Sequence, residues 1–329
     1  MTHARRKADS QEIENLLDEL SAQSWLKGSR EKWSAYVYHF TDVRNAVEIL
    51  KIGKLLCRAE LNRRKGMVVD NASQIIIANT ANYVHDYVRL YFRPQTPTQY
   101  HNEGIRPKAQ RSLDSHCPVP VFFLFDAKEI LTRAGSSFSD GNLAAGANLY
   151  DTAEALRSFN FRDIYHIGAI PEYVKRNIIY HRKAEVVVPN ELDLSSLKFI
   201  FCRSRAEKDM LLHLLPTEQF KVWQRKILVD SRSQFYHRKW SFVEIVEMTT
   251  ERVTFTFSPD TRTPGNFFAK VLFTEHDTGK QHDYVQGEFL ANSKSVALVP
   301  KGVERYEVRL WLDDELAFAN AFYNEDLPF

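Results

Sequence analysis

From residue 241 onward the chain settles into period-two alternation. RVTFTF (252–257), RYEVRLWL (305–312) and LAFANAFY (316–323) are short runs separated by turn-rich pieces such as SPDTRTPGN and HDTGK. An alternating strand buries one face and wets the other, so several of them joined by turns predict two packed sheets, an immunoglobulin-like β-sandwich over residues 238–329. Upstream the period is mixed. Ile13, Leu16, Leu17 and Leu20 fall on one helical face behind Asp9 and Glu12 as a capping start, which predicts a helical extension over residues 1–29. The runs VFFLF (121–125), EVVV (185–188) and FIFC (199–202) read as buried strands. Ser204-Arg205-Ala206-Glu207 reads as a capping box that opens a helix ending before Pro216. Residues 30–237 are therefore expected to form an α+β body.

A chain of 329 residues is long enough for two such domains. With 44% hydrophobic and 26% charged residues it is globular, and disorder is excluded. Nothing approaches the roughly 18 consecutive apolar residues of a membrane span, and the basic start MTHARRKADSQEIENLL has no apolar core behind it. Cys57, Cys117 and Cys202 form no CxxC spacing, which argues against a disulfide scaffold or zinc ribbon and for a cytoplasmic protein. His85, His101, His116 and Cys117 are not at ligand spacings, so no metal is expected. The net charge of +2 hides an asymmetry: residues 230–329 hold 11 basic and 16 acidic side chains, leaving 33 and 26 upstream. A basic first part suits a polyanion such as nucleic acid, and an acidic tail suits protein contacts.

Three blocks carry residue types that do chemistry. In YHFTDVRNAVEILKIGKLL (38–56) an extended piece leads into a helix with Val43, Ala46, Val47 and Leu50 on one face and Gly53 as its stop. His39, Thr41 and Asn45 fall at that junction, where free N–H groups meet a ligand, although a cap, a core histidine and a solvated asparagine read equally from the pattern. In HDYVRLYFRPQTPTQY (85–100), Tyr87, Tyr91 and Phe92 are fitted to sandwich a planar ring, and Arg89 and Arg93 to bind nucleic-acid phosphates. The competing reading is an aromatic strand in the core. In HRKAEVVVPN (181–190), Glu185 stands inside an apolar strand and must be partnered or functional, either as an ion pair with Arg182 or Lys183 or as a carboxylate that stabilises a cationic sugar. GSSFSDGNLAAGANLYD (135–151) reads as a flexible loop of lid character. No GxGxxG, Walker or GxSxG pattern occurs, which argues against Rossmann, P-loop and α/β-hydrolase chemistry.

In this order the blocks resemble the DarT family of NAD-dependent nucleic-acid ADP-ribosyltransferases, bacterial toxins that modify bases in single-stranded DNA. The likeness runs over most of residues 35–237. The family's His-x-Thr element and its helix ending in Gly-x-Leu are matched by His39, Thr41, Asn45, Gly53 and Leu55. Its block HDYVPFYFxPRSPMLY is matched by residues 85–100, its Phe-Thr-Asp segment by Phe138, Ser139 and Asp140, and its RxAE strand by Arg182, Ala184 and Glu185. The resemblance implies an ADP-ribosyltransferase-like split-sheet domain in which His39, Thr41 and Asn45 position NAD, the co-substrate. It implies that Tyr87, Tyr91 and Phe92 wall the pocket and that Glu185 is the catalytic glutamate. It further implies single-stranded DNA or RNA as acceptor, a role as toxin or anti-phage effector, and a cognate antitoxin as partner.

Two departures stand out: the family's YVP is Tyr87-Val88-Arg89 and its PRSP is Pro94-Gln95-Thr96-Pro97. The arginine that the family carries upstream of HDYV has no counterpart between Lys65 and Arg89. Arg63 and Arg64 are the nearest upstream, and Asn79 is a candidate replacement. The rival reading from a different class is a non-catalytic single-strand binder or adaptor that uses the same aromatic and basic residues.

Overall fold

The computed structural model describes residues 5–64, 80–111, 116–232, 234–258 and 266–324. Its chain divides into two compact units, the first built from Met1–Phe40, Ile52–His101 and Phe122–Ile200, the second from Thr41–Lys51, Asn102–Val121 and Phe201–Phe329. The first holds, wholly or in the main, strands β1 (Tyr36–Asp42), β2 (Lys54–Leu56), β3 (Tyr87–Tyr91), β4 (Pro120–Asp126), β5 (Ser137–Ser139), β6 (Glu185–Pro189), β7 (Glu191–Asp193) and β8 (Leu197–Cys202). Six of them hydrogen-bond in the order β5-β6-β3-β1-β4-β8, and β2 pairs with β7. The strands read from sequence as buried runs are β4, β6 and β8.

The predicted N-terminal helix runs over Ser10–Ser21 and buries Ile13, Leu16, Leu17 and Leu20. Its start differs from the expected capping. The Asp9 side chain makes no bond to its own helix and instead accepts the N–H of Ala153 at 2.5 Å, one of the donors that the first turn of the helix Ala153–Arg157 leaves open. The segment 135–151 is not a free loop. Ser137–Ser139 is a sheet strand with Phe138 fully buried, and Leu143 and Ala147 pack with Val84 and Val187. Three apolar side chains among its glycines anchor it, and composition alone hides them.

In the second unit the helix Val43–Ile52 buries its predicted face, and Gly53 ends it at φ +73°. Asp42 rather than Thr41 takes the first-turn donor, accepting the N–H of Arg44 at 3.0 Å. After β9 (Ile227–Val229) come β10 (Val243–Met248), β11 (Arg252–Phe257), β12 (Asn266–Glu275), β13 (Gln281–Leu290), β14 (Lys294–Leu298), β15 (Arg305–Leu312) and β16 (Glu315–Tyr323). They form a three-stranded sheet β10-β11-β14 and a four-stranded sheet β13-β12-β15-β16. Phe255 meets Phe318 at 5.9 Å and Phe257 meets Phe289 at 5.6 Å between ring centres, so the alternating faces close on each other as predicted. The strand assignment differs from an immunoglobulin constant domain, whose fourth strand joins the first sheet. Here β12 and β13 are ten residues each and make one long hairpin, which holds β13 beside β12.

The second unit reaches across the boundary read at 237/238. Glu103 accepts the N–H groups of His237 at 2.9 Å and Arg238 at 2.8 Å, and Ser204 donates its hydroxyl to the carbonyl of Val243 at 2.6 Å. The helix Arg205–Leu214 buries Met210 and Leu211 completely, with β10 and β16 as its main neighbours. A chain ending at residue 238 uncovers these side chains, at about 2 kcal/mol each. It is expected to lose cooperative melting and to be recovered mostly as aggregate. A soluble truncation that melts like the full chain would overturn this.

Candidate active site

The register of the first unit sets one row of side chains across three strands. Tyr91 lies opposite Glu185, and Glu185 opposite Ser139. Directly opposed residues share a face. The row beneath, on the other face, is Leu90, Val186 and Phe138, all fully buried, and this is the core that makes the sheet rigid under the site.

Glu185 is 1% exposed. Its partner is neither Arg182 nor Lys183. Arg89 stands opposite Val187 and so is the diagonal neighbour of Glu185, within reach of a long side chain. Its Nε donates to Oε2 at 2.9 Å and its Nη2 to Oε1 at 2.5 Å, a two-pronged ion pair. Nη2 also donates to Oδ1 of Asn142 at 3.1 Å, and the same Asn142 oxygen accepts the N–H of Ala144 at 2.9 Å. The backbone N–H of Leu143 donates to Glu185 as well. Burial raises the Glu185 carboxyl above its ordinary range, while Arg89 and the Leu143 N–H oppose that rise. The Arg89 guanidinium is correspondingly held charged by Glu185.

The other sequence-read residues separate into those gathered here and those placed elsewhere. Tyr91 is half-buried in the same row, its hydroxyl kept protonated by burial and by the charge of Glu185, with Thr98 as hydrogen-bond partner. Tyr87 shares the Arg89 face and packs on the cluster of Val84, Leu143, Ala147 and Val187, so it supports the Asn142 turn. His39 on β1 donates from Nδ1 to the carbonyl of Arg89 at 3.2 Å and meets Phe123 edge-on. Burial pushes its pKa down to about 4. The ring is neutral at pH 7, and Nε2 remains a free lone pair for a hydroxyl or amide. Thr41 and Asn45 lie in the second unit, where Asn45 donates to the Thr41 hydroxyl at 3.3 Å.

Three expectations are corrected. Phe92 is 1% exposed and packs edge-on against Phe159 and Phe161, because strand alternation turns it to the core side with Leu90; it walls no pocket. Arg93 is fully buried, with Nε and Nη1 on backbone carbonyls, so it is not on the exposed surface beside Arg89. Arg89 is engaged by a carboxylate instead of waiting for a phosphate. Arg63 and Arg64 both pair with Glu60 on the exposed helix Arg58–Arg64, and Asn79 lies outside the described residues. Asn142 and the Leu143 N–H were missed by sequence reading; the Gly-Asn step after Ser139-Asp140 was their only signal.

Among the described residues no group of three His, Cys, Asp or Glu side chains is gathered to hold a metal, and no helix is long and apolar enough to cross a membrane. A family model described as ssDNA thymidine ADP-ribosyltransferase, DarT, matches residues 38–237. Among solved structures, Thermus sp. 2.9 DarT in complex with NAD+ is 21% identical with a TM-score of 0.47, covering 62% of this chain and 98% of that one. The same protein in complex with ADP-ribosylated ssDNA is 22% identical at 0.49, covering 62% and 96%. Thermosipho africanus DarTG in complex with ADP-ribose is 17% identical at 0.45, covering 65% and 53%. No curated protein matches the chain.

Proposed function

This chain belongs to the DarT family of ssDNA thymidine ADP-ribosyltransferases, and from that premise we propose that it moves ADP-ribose from NAD to a base of single-stranded nucleic acid, DNA before RNA, with Glu185 as its catalytic carboxylate. Its body is an NAD-dependent ADP-ribosyltransferase domain. One observation carries the residue assignment: a carboxylate 1% exposed, fixed by a forked guanidinium and a backbone N–H, in register with a tyrosine on the neighbouring strand. Burial of a charge at this cost suits a group that must meet a cation. As the nicotinamide–ribose bond breaks, its electron pair leaves with nicotinamide and positive charge develops on the sugar. Glu185 would hold a ribose hydroxyl and stabilise that charge. A base nitrogen then bonds to the sugar carbon and gives up its proton to solvent. Tyr87 and Tyr91 offer ring faces, and neutral His39 offers Nε2 as an acceptor. An unpaired base needs no extraction from a duplex, which favours a single strand.

The test is to incubate the full chain with labelled NAD and single-stranded DNA or RNA. NAD-dependent label on the DNA is the expected result. Label on RNA alone would move the acceptor, and label on neither would leave the binder reading standing. We further read the protein as a toxin or anti-phage effector restrained by a cognate antitoxin. Induction of the wild type, and not of Glu185→Gln, should arrest bacterial growth.

His39→Ala is expected to weaken NAD binding by about tenfold, one neutral hydrogen bond and its packing, with single-strand affinity unchanged in calorimetry. Because the imidazole is already neutral well above about pH 4, wild-type NAD affinity should be flat through the neutral range. A rise in affinity on acidification, or equal affinity in the alanine variant, removes the ring from the NAD site.

A further inference from the structure

Three guanidinium groups and an imidazole in the first unit converge without a carboxylate to balance them. Arg93 donates from Nη1 to the carbonyls of Ile164 at 2.9 Å and His166 at 2.5 Å, and from Nε to that of Pro94 at 2.9 Å. Arg30 donates to the intervening carbonyl of Tyr165 at 3.1 Å and to that of Trp25 at 2.5 Å. Arg182 donates to the carbonyl of Gln95, next to Pro94, at 3.2 Å. All three are thus gathered on two short carbonyl runs, Pro94–Gln95 and Ile164–His166.

Carbonyl dipoles offset part of this charge and leave the rest. Among the described residues none of the three arginines is in an ion pair with an acid. Arg30 Nε, Arg93 Nη2, Arg182 Nε and His166 Nδ1 are all buried without a hydrogen-bond partner. Among the described residues Asp163 is the one acid that bears on the group, through His166, and its carboxylate already accepts from Asn160 and Asn177. Burial and mutual repulsion push the Arg93 and His166 pKa values down. Unpaired buried charge and idle buried donors each cost several kcal/mol unless an anion answers them. Arg93 is fully buried, whereas Arg30, Arg182 and His166 are only half-buried, which leaves the group a side toward solvent. Arg182 precedes Glu185 by three residues and Gln95 follows Tyr91 by four, so the group lies where the two strands of the candidate active site begin and end.

We propose that Arg30, Arg93, Arg182 and His166 form a binding site for a phosphate-class anion beside the catalytic strands. Planar forks with idle N–H groups match phosphate oxygens, and their fixed carbonyl contacts hold them ready. The anion site stands on this geometry alone. The source of its phosphate, either the diphosphate of NAD or a phosphodiester of the acceptor strand, rests on the proposed function.

The experiment is calorimetric titration of the full chain with inorganic pyrophosphate. Saturable binding is expected, weakened by roughly tenfold or more in Arg182→Gln and in Arg30→Gln, since each removes a charge-assisted donor. Arg176→Gln, an exposed position on the helix Lys175–His181, should bind as wild type. Arg182→Lys, which keeps the charge but loses the fork, covers a glutamine variant that fails to melt cooperatively, and is expected to fall between. Titrations with NAD and with oligothymidine then name the source, as the affinity that falls alongside pyrophosphate. No saturable pyrophosphate binding by wild type, or equal binding by the variants, overturns the site. Glu185→Gln should keep pyrophosphate binding, so a failed transfer reaction and a failed anion site are distinguishable.

Discussion

Glu185→Gln abolishes ADP-ribosyl transfer to the limit of a labelled-NAD assay, an expected loss of about 10²–10³-fold for one preorganised electrostatic group. The amide keeps the side chain's volume, and its oxygen still accepts from Arg89 or the Leu143 N–H, so the register β3–β6 has no reason to shift. What disappears is the negative charge facing the sugar as it becomes cationic. Arg89, half-buried, is then left without its counterion, and a lowered melting temperature is part of the expectation. NAD binding should survive, because the ground-state nicotinamide already carries its own charge and the ribose hydroxyl still finds an acceptor. Transfer by this variant at near the wild-type rate would remove Glu185 from catalysis and return it to the role of a structural ion pair.

Arg89→Gln is the second large effect. Removing one partner of a buried ion pair costs on the order of 3–5 kcal/mol, because the remaining charge is stranded. Here the stranded group is Glu185, whose carboxyl burial already raises above its usual range while Arg89 holds it down. The remaining groups that face it are the Leu143 N–H and, at longer range, Lys183, with Tyr91 adding a like-charge cost if it ionises. Without Arg89 the carboxyl takes up its proton at higher pH. Turnover should therefore fall steeply at neutral pH and recover in part as pH rises, whereas the wild type loses activity only on the acid side. Arg89→Lys keeps a charge and should shift the profile less. The double variant Arg89→Gln with Glu185→Gln should melt higher than Arg89→Gln alone, the non-additivity of a coupled pair. An unchanged pH profile in Arg89→Gln, with only a lower melting temperature, would make Arg89 a brace with no part in setting the charge of Glu185.

These two expectations also divide what was legible from what was not. Alternation announced β11, β15 and β16 to the residue or nearly so, because a strand half in water must alternate and the sequence shows it directly. The helix Val43–Ile52 and its Gly53 stop were equally local. Glu185 was conspicuous because a carboxylate among valines has few innocent explanations. Its partner was not legible: Arg182 and Lys183 are near in sequence, yet the pair is made by Arg89, 96 residues away, because antiparallel register puts position 89 on the diagonal from 185. Phe92 was misread for the same reason, since an aromatic residue looks identical on either face until the alternation of β3 is anchored by its neighbours.

By itself the sequence determined the kinds of elements, the change of period near residue 240, the motif order and the one carboxylate that required an explanation. These are local properties, set by side-chain chemistry and spacing along the chain. Only the tertiary structure decided which strands adjoin, that β13 stays with β12, that Arg89 neutralises Glu185, and that Arg30, Arg93 and Arg182 meet on two carbonyl runs. Charge balance and burial depend on what lies across a strand pair or a packed loop, and that is fixed by register and packing between segments far apart in the chain.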